Sequence, residues 1–215
     1  MNILKEIQNG IEDGRACAES VHGEYPQLSA VHKYDYSSDR MGKVFQCDNL
    51  KLMKKLLDEG YAGKIQTIYI DPPFFSRAKY KASITIKTGK GAKKIHYKAY
   101  DDGSTDDLKN YIAFMTARLL LMKKLLADDG LIWVHLDWHS SHYIRILMDE
   151  IFGEDRFVNE IIWKYKSGGS SQNHFSRKHD TIILYSKSPR YYINIPKEKS
   201  YNRGLKPYRF KGVKE

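Results

Sequence analysis

The chain has 215 residues, with 36 Lys and Arg against 26 Asp and Glu, a net charge of +10 with histidines neutral. That length suggests one domain or one domain plus an appendage, and 41 % apolar and 13 % aromatic residues exclude a low-hydrophobicity disordered chain. No apolar run approaches the ~18 residues that span a bilayer. The two cysteines, Cys17 and Cys47, cannot build a disulfide framework, so a reducing, cytoplasmic compartment is expected.

Residues 1–42 are polar, glycine-dotted and weakly periodic, and lack the basic start and apolar stretch of a signal peptide. They read as a loosely attached N-terminal segment with one helix. Residues 43–47 (KVFQC) then read as a short strand that buries Cys47, after which Asp48 and Asn49 can cap a helix marked by Leu50, Met53 and Leu57. Ile65–Ile70 (IQTIYI) is a second buried strand, stopped by Asp71-Pro72-Pro73 because prolines cannot donate to a ladder.

Residues 74–99 hold eight basic side chains and no acidic one, and with the turn-rich DDGSTDD that follows they show no sustained period, so a long loop is expected. Ser104 or Thr105 can cap the next helix, in which Leu108, Ile112, Met115, Leu119, Met122 and Leu126 recur at helical spacing until Gly130. Leu131–Leu136 (LIWVHL) is a third buried strand, and Tyr143, Ile144, Leu147, Met148 and Ile151 mark a further helix closed by Gly153.

Phe157–Tyr165 and Thr181–Tyr185 are rich in β-branched and aromatic residues and flank a polar, glycine-containing stretch, the pattern of a hairpin with a long tip. From Ile161 to Glu215 there are thirteen basic and three acidic residues, so this segment and residues 74–99 carry more than the whole net charge and the rest of the chain is net acidic. Two basic regions on an acidic body suit a surface that meets a polyanion. The element order predicts an α/β fold, a mostly parallel sheet with an antiparallel hairpin at one edge, divided into residues 1–42, 43–187 and 188–215.

Ligands of open α/β sheets bind beyond the carboxyl ends of the strands. Asp48, Asp71 and Asp137 stand at three such ends. A carboxylate followed by two rigid prolines and an aromatic ring suits a planar group bearing an amine, since acceptors meet the N–H donors and the ring stacks on the face. His135, Asp137, His139 and His142 lie close in sequence, but no cysteine pair supports zinc and no metal is expected.

The ordered series CDNL at 47–50, IYIDPPF at 68–74, RLLLMKKLLADDG at 118–130, LIWVHLDWHSSHYIRILMDEIFG at 131–153 and the 157–188 hairpin resembles the amino-methylating DNA methyltransferases. The likeness is closest to the adenine-specific modification subunits of type III restriction–modification systems. It implies a Rossmann-like methyltransferase fold and transfer of a methyl group from S-adenosylmethionine to adenine N6 in double-stranded DNA, with cytosine N4 as the alternative acceptor. By match to the family motif, Asp71 and the carbonyl of Pro72, within Asp71-Pro72-Pro73-Phe74, would accept the amine's hydrogen bonds and Phe74 would stack on the base, which must leave the duplex first. Asp48 and Asn49 would approach the cofactor's adenine ring. Arg77, Lys79 and Lys81 would meet phosphates beside the flipped nucleotide, and Lys164, Lys166, Arg177 and Lys178 would frame the hairpin tip on DNA. Partners would include a restriction (endonuclease/helicase) subunit and a second copy of the chain.

Two positions depart from the family pattern: Phe74 stands for the usual tyrosine and Phe75 for a common asparagine. The family's Phe-x-Gly-x-Gly element for the methionine part of the cofactor does not occur, since Thr88-Gly89-Lys90-Gly91 follows no apolar strand. The expectation is therefore a fold incomplete as given, with a gap between the strands ending at Asp48 and Asp71, that alone neither binds the methyl donor tightly nor turns over. A non-catalytic DNA-binding remnant is the second reading.

Overall fold

The computed structural model describes residues 2–21, 44–77, 79–88, 91–101, 107–166 and 172–195. Helices α1 (Ile3–Glu19) and α2 (Asn49–Leu56) precede strand β1 (Ile65–Ile70), a hairpin of β2 (Lys79–Thr88) and β3 (Gly91–Asp101), and helix α3 (Leu108–Leu125). Strand β4 (Leu126–Leu136), helix α4 (Ser141–Phe152), and strands β5 (Phe157–Lys164) and β6 (His179–Ser186) complete the described chain.

The main sheet has the order β1-β4-β6-β5. β1 and β4 run parallel, joined by a connection that contains α3, while β4–β6 and β6–β5 are antiparallel. This is the expected α/β class with an antiparallel hairpin at one edge; within the main sheet, among the described residues, one ladder is parallel and two are antiparallel. Ile132, Val134 and Leu136 alternate onto the buried face and belong to one core cluster with Ile112 and Leu119 of α3 and Ile144 and Leu147 of α4, all fully buried. Trp133 and His135, one residue out of step, point to the other face and are only half-buried.

Four expectations change. Residues 44–47 are not a strand: Val44 is 73 % exposed and Cys47 is half-buried, because no neighbouring strand among the described residues offers this stretch a ladder. Residues 79–88 and 91–101 are not loop but two antiparallel strands in which Ile84 pairs with Ile95. Their period of two was present in Ser83-Ile84-Thr85-Ile86, but lysines on both faces hid it. The glycine at 130 does not end α3, which stops at Leu125 as Leu126 turns extended to pair with Ile65; Gly130 lies inside β4. The cap of α3 is Asp107, whose side chain accepts from the Asn110 backbone N–H at 2.7 Å; Ser104 and Thr105 lie outside the described residues, as do the 167–171 tip and residues 196–215.

The fourth change concerns α1, which the sequence pattern presents as loosely attached. It packs along α3 through Gly10 and Gly14, one turn apart on the same face. A Cβ at Gly10 would sit 2.7 Å from the Lys109 carbonyl, and one at Gly14 would sit 2.5 Å from Thr116 Cβ and 2.7 Å from the Ala113 carbonyl. The helices are thus too close for any side chain, and α1 covers the outer side of α3. Gly14→Val should push α1 off α3 and destabilise the protein by roughly 1–3 kcal/mol, the usual range for overpacking. Chemical denaturation checks this, and an unchanged midpoint would show that α1 is not docked in solution.

Candidate active site

Parallel pairing of β1 with β4 puts their carboxyl ends at the same edge of the sheet, and antiparallel pairing brings the start of β6 and the end of β5 there too. Asp71, Asp137, Lys164 and Arg177 therefore belong to one end of the molecule although they are far apart in sequence. Asp71 is exposed at that edge, and Pro72, Pro73 and Phe74 are half-buried behind it.

The turn is held by α3. The Tyr111 hydroxyl donates to the Pro73 carbonyl at 2.9 Å, and its ring, completely buried, stacks on Phe75 with centroids 4.9 Å apart and planes 19° from parallel. Phe75 and Arg77 both have φ near +57°, a left-handed conformation that costs a non-glycine residue free energy and persists only where packing enforces it. The Arg77 guanidinium lies 5.0 Å from the centre of the Phe75 ring. Phe75, in place of the family's asparagine, is thus an anchor: it ties the strained turn to the core.

Asp71 lines a cleft of about 310 Å³ together with Ile70, Phe114, Met115 and Met122, and Asn49 of α2 lines it too. Asp48 does cap α2, accepting from the Leu50 backbone N–H at 2.8 Å. Its other oxygen lies 3.6 Å from an Arg118 nitrogen, and Arg118 Nε donates to the Asn49 side-chain oxygen at 2.8 Å. Arg118 also stacks on Phe114, its guanidinium carbon 3.5 Å from the ring centre, and donates to that residue's carbonyl. Burial pulls the Arg118 pKa down, and Asp48 works against that shift. One arginine therefore pins the Asp48-Asn49 turn to α3 at the rim of the cleft, and sequence reasoning missed it. The signal was a cation inside the apolar stripe of α3, on the same face as Tyr111, Met115 and Met122.

A side-chain chain on the other face of the sheet was also missed. The Tyr69 hydroxyl is 3.0 Å from His135 Nδ1, His135 Nε2 is 3.3 Å from Asp180, and the Tyr165 hydroxyl donates to Asp180 at 3.4 Å. The Phe74 ring leans on His135, centroids 5.9 Å apart. Burial, and then Asp180, raise the Tyr165 pKa. His139, by contrast, turns back onto Asp137, with Nδ1 2.6 Å from the carboxylate.

The basic residues expected at DNA divide. Lys164 and Lys166 are exposed at and beyond the end of β5, and Arg177 is exposed with its guanidinium 4.0 Å from the ring centre of Trp138, in the loop after β4. Lys178 is half-buried, and its carbonyl accepts from the Tyr165 backbone N–H. Lys79 and Lys81 sit at the start of β2, with side chains outside those described.

Residues 65–213 match a family described as DNA methylase. The type II methyltransferase M.EcaI of Enterobacter cloacae is 37 % identical over 154 residues, covering 71 % of this chain and 30 % of that protein. The EcoP15I Mod subunit of Escherichia coli, a type III restriction–modification enzyme, is 25 % identical over 161 residues, covering 68 % of this chain and 24 % of its own length. The StyLTI Mod subunit of Salmonella typhimurium, another type III restriction–modification enzyme, is 29 % identical over 170 residues, with 72 % and 25 % covered. The chain spans less than a third of the length of each of these relatives.

The Tyr111 contacts give a direct test of how the turn is held. Tyr111→Phe keeps the stack on Phe75 and loses one hydrogen bond, so it should cost about 0.5–1.5 kcal/mol in denaturant unfolding. Tyr111→Ala removes the ring as well and should cost about 3–5 kcal/mol. Equal losses for the two would mean that the ring does not anchor the turn.

Proposed function

The chain belongs to the DNA methylase family, and from that membership we propose that it contributes the base-side active site for methylation of adenine N6 in double-stranded DNA. The observation that carries the reading is Asp71: an exposed carboxylate at a strand end, backed by two prolines and a ring, beside an apolar cleft. An aromatic amine is a weak nucleophile because its lone pair is delocalised into the ring. Accepting its N–H hydrogen bonds through Asp71 and the Pro72 carbonyl localises that pair on nitrogen, and the proton shed on methylation leaves through Asp71 to water. Phe74 stacks on the base after it swings out of the duplex.

The rigidity of the turn matters because such catalysis is positioning and polarisation, in which preorganised acceptors need not reorganise as charge develops. Pro72 and Pro73 fix two φ angles, Tyr111 fixes the following carbonyl, and His135 supports the back of the Phe74 ring. S-adenosylmethionine would supply the methyl group. Its adenine ring would lie in the cleft, which Asn49 lines together with Phe114, Met115 and Met122, while Asp48, next in the chain, is held by Arg118. Arg77, Lys79, Lys81, Lys164, Lys166, Arg177 and Lys178 are the proposed contacts to DNA phosphates. Such contacts supply affinity and leave base choice to other groups. A restriction subunit and a second copy of the chain are the proposed protein partners.

Expressing the gene that carries this chain and sequencing the host DNA tests the reading. N6-methyladenine at one defined sequence is expected, lost in Asp71→Ala and kept in Phe74→Tyr. N4-methylcytosine in its place would overturn the choice of base, and methylation surviving Asp71→Ala would overturn the site.

A further inference from the structure

The β2–β3 hairpin begins five residues after Phe74, and its extensive contacts are between its own two strands. At ~3.4 Å per residue its ten-residue strand reaches about 30 Å, and an isolated two-stranded hairpin is only marginally stable in water. Residues 79–101 contain seven lysines and a single acidic residue, Asp101.

The register sorts these charges. Positions 81, 87, 94 and 98, all lysine, share one face with Ser83 and Thr85, while Ile84, Ile86 and Ile95 share the other with Lys93. In the register Lys81 pairs with Lys98. The described side chains of the lysine face, Lys87 and Lys94, are exposed. The described middle of the ribbon, residues 83–87 and 92–95, is exposed on both faces, and a polyanion lying on the lysine face would neutralise the charge gathered there.

We propose that the β2–β3 hairpin is a DNA-binding ribbon whose lysine face lies along the backbone of duplex DNA beside the extruded base. The inference rests on the methyltransferase reading, which makes DNA the polyanion and puts the base at Asp71. A two-stranded ribbon has the width to enter a major groove, and phosphate contacts at this point would clamp the strand next to the flipped nucleotide.

The test is fluorescence anisotropy of a labelled DNA duplex with the 215-residue chain across a salt series. It compares wild type, a variant with Lys81→Gln, Lys87→Gln, Lys94→Gln and Lys98→Gln, and a variant with Ile84→Ser and Ile95→Ser. Circular dichroism establishes that each is folded. The lysine variant should bind more weakly for every duplex sequence, with the slope of log affinity against log salt shallower by about 0.9 for each phosphate no longer neutralised. The isoleucine variant should keep the wild-type slope. A lysine variant that keeps the slope, or an isoleucine variant that alone loses binding or changes oligomeric state, overturns the ribbon and makes the hairpin a protein-docking element. In either case adenine methylation in cells still stands or falls separately. A wild-type chain that binds no duplex also ends the proposal.

Discussion

The contact between Tyr111 and the Asp71–Phe75 turn is the constraint on which the candidate site depends. A carboxylate at a strand end is common, and it becomes a usable acceptor only if the backbone after it cannot relax. Prolines set part of that backbone, but Phe75 and Arg77 hold left-handed angles that the local sequence does not favour. The free energy for this comes from the core: a fully buried tyrosine that stacks on Phe75 and binds the Pro73 carbonyl. Helix α3 in turn is covered by α1, so the docking of two glycines against α3 and the shape of the Asp71–Phe75 turn are linked through one helix.

The same helix carries the second support of the site. Arg118, on the stripe of α3 that also presents Met115 and Met122 to the cleft, reaches the Asp48-Asn49 turn and ties it to that helix. A largely buried guanidinium is costly without partners, and here it has a side-chain amide, a carboxylate, a carbonyl and an aromatic face. The Asp71 turn and Asn49, which both line the cleft, are therefore each tied to α3.

Much of the α/β order was legible from periodicity. Ile65–Ile70, the 108–125 helix, Leu131–Leu136 and the 157–186 hairpin all form near where their patterns place them, because a buried strand or an amphipathic helix needs those spacings whatever its neighbours are. The misses share a cause. Residues 44–47 have strand-like composition but no described partner strand, and a strand is a pairing and not a property of one segment. Lysines on both faces obscured the period of β2 and β3, and Gly10 and Gly14 looked like signs of looseness when they mark a close approach of two helices. Tyr111 and Asp180 carried no local motif, and His135 drew notice only as part of a candidate metal cluster.

By itself the sequence determined the chemistry on offer: a carboxylate, two prolines and a ring after an apolar strand, in a series of motifs specific enough to point to a family. It also determined that two basic regions exist. Only the tertiary structure decided that Lys164, Lys166, Arg177 and Lys178 of the second region share one end of the sheet with Asp71, since parallel and antiparallel ladders gather strand ends that sequence separates by about a hundred residues. It alone decided what holds the turn, because long-range contacts such as Tyr111 to Pro73 and Arg118 to Asn49 come from packing, and packing leaves no periodic trace in either segment.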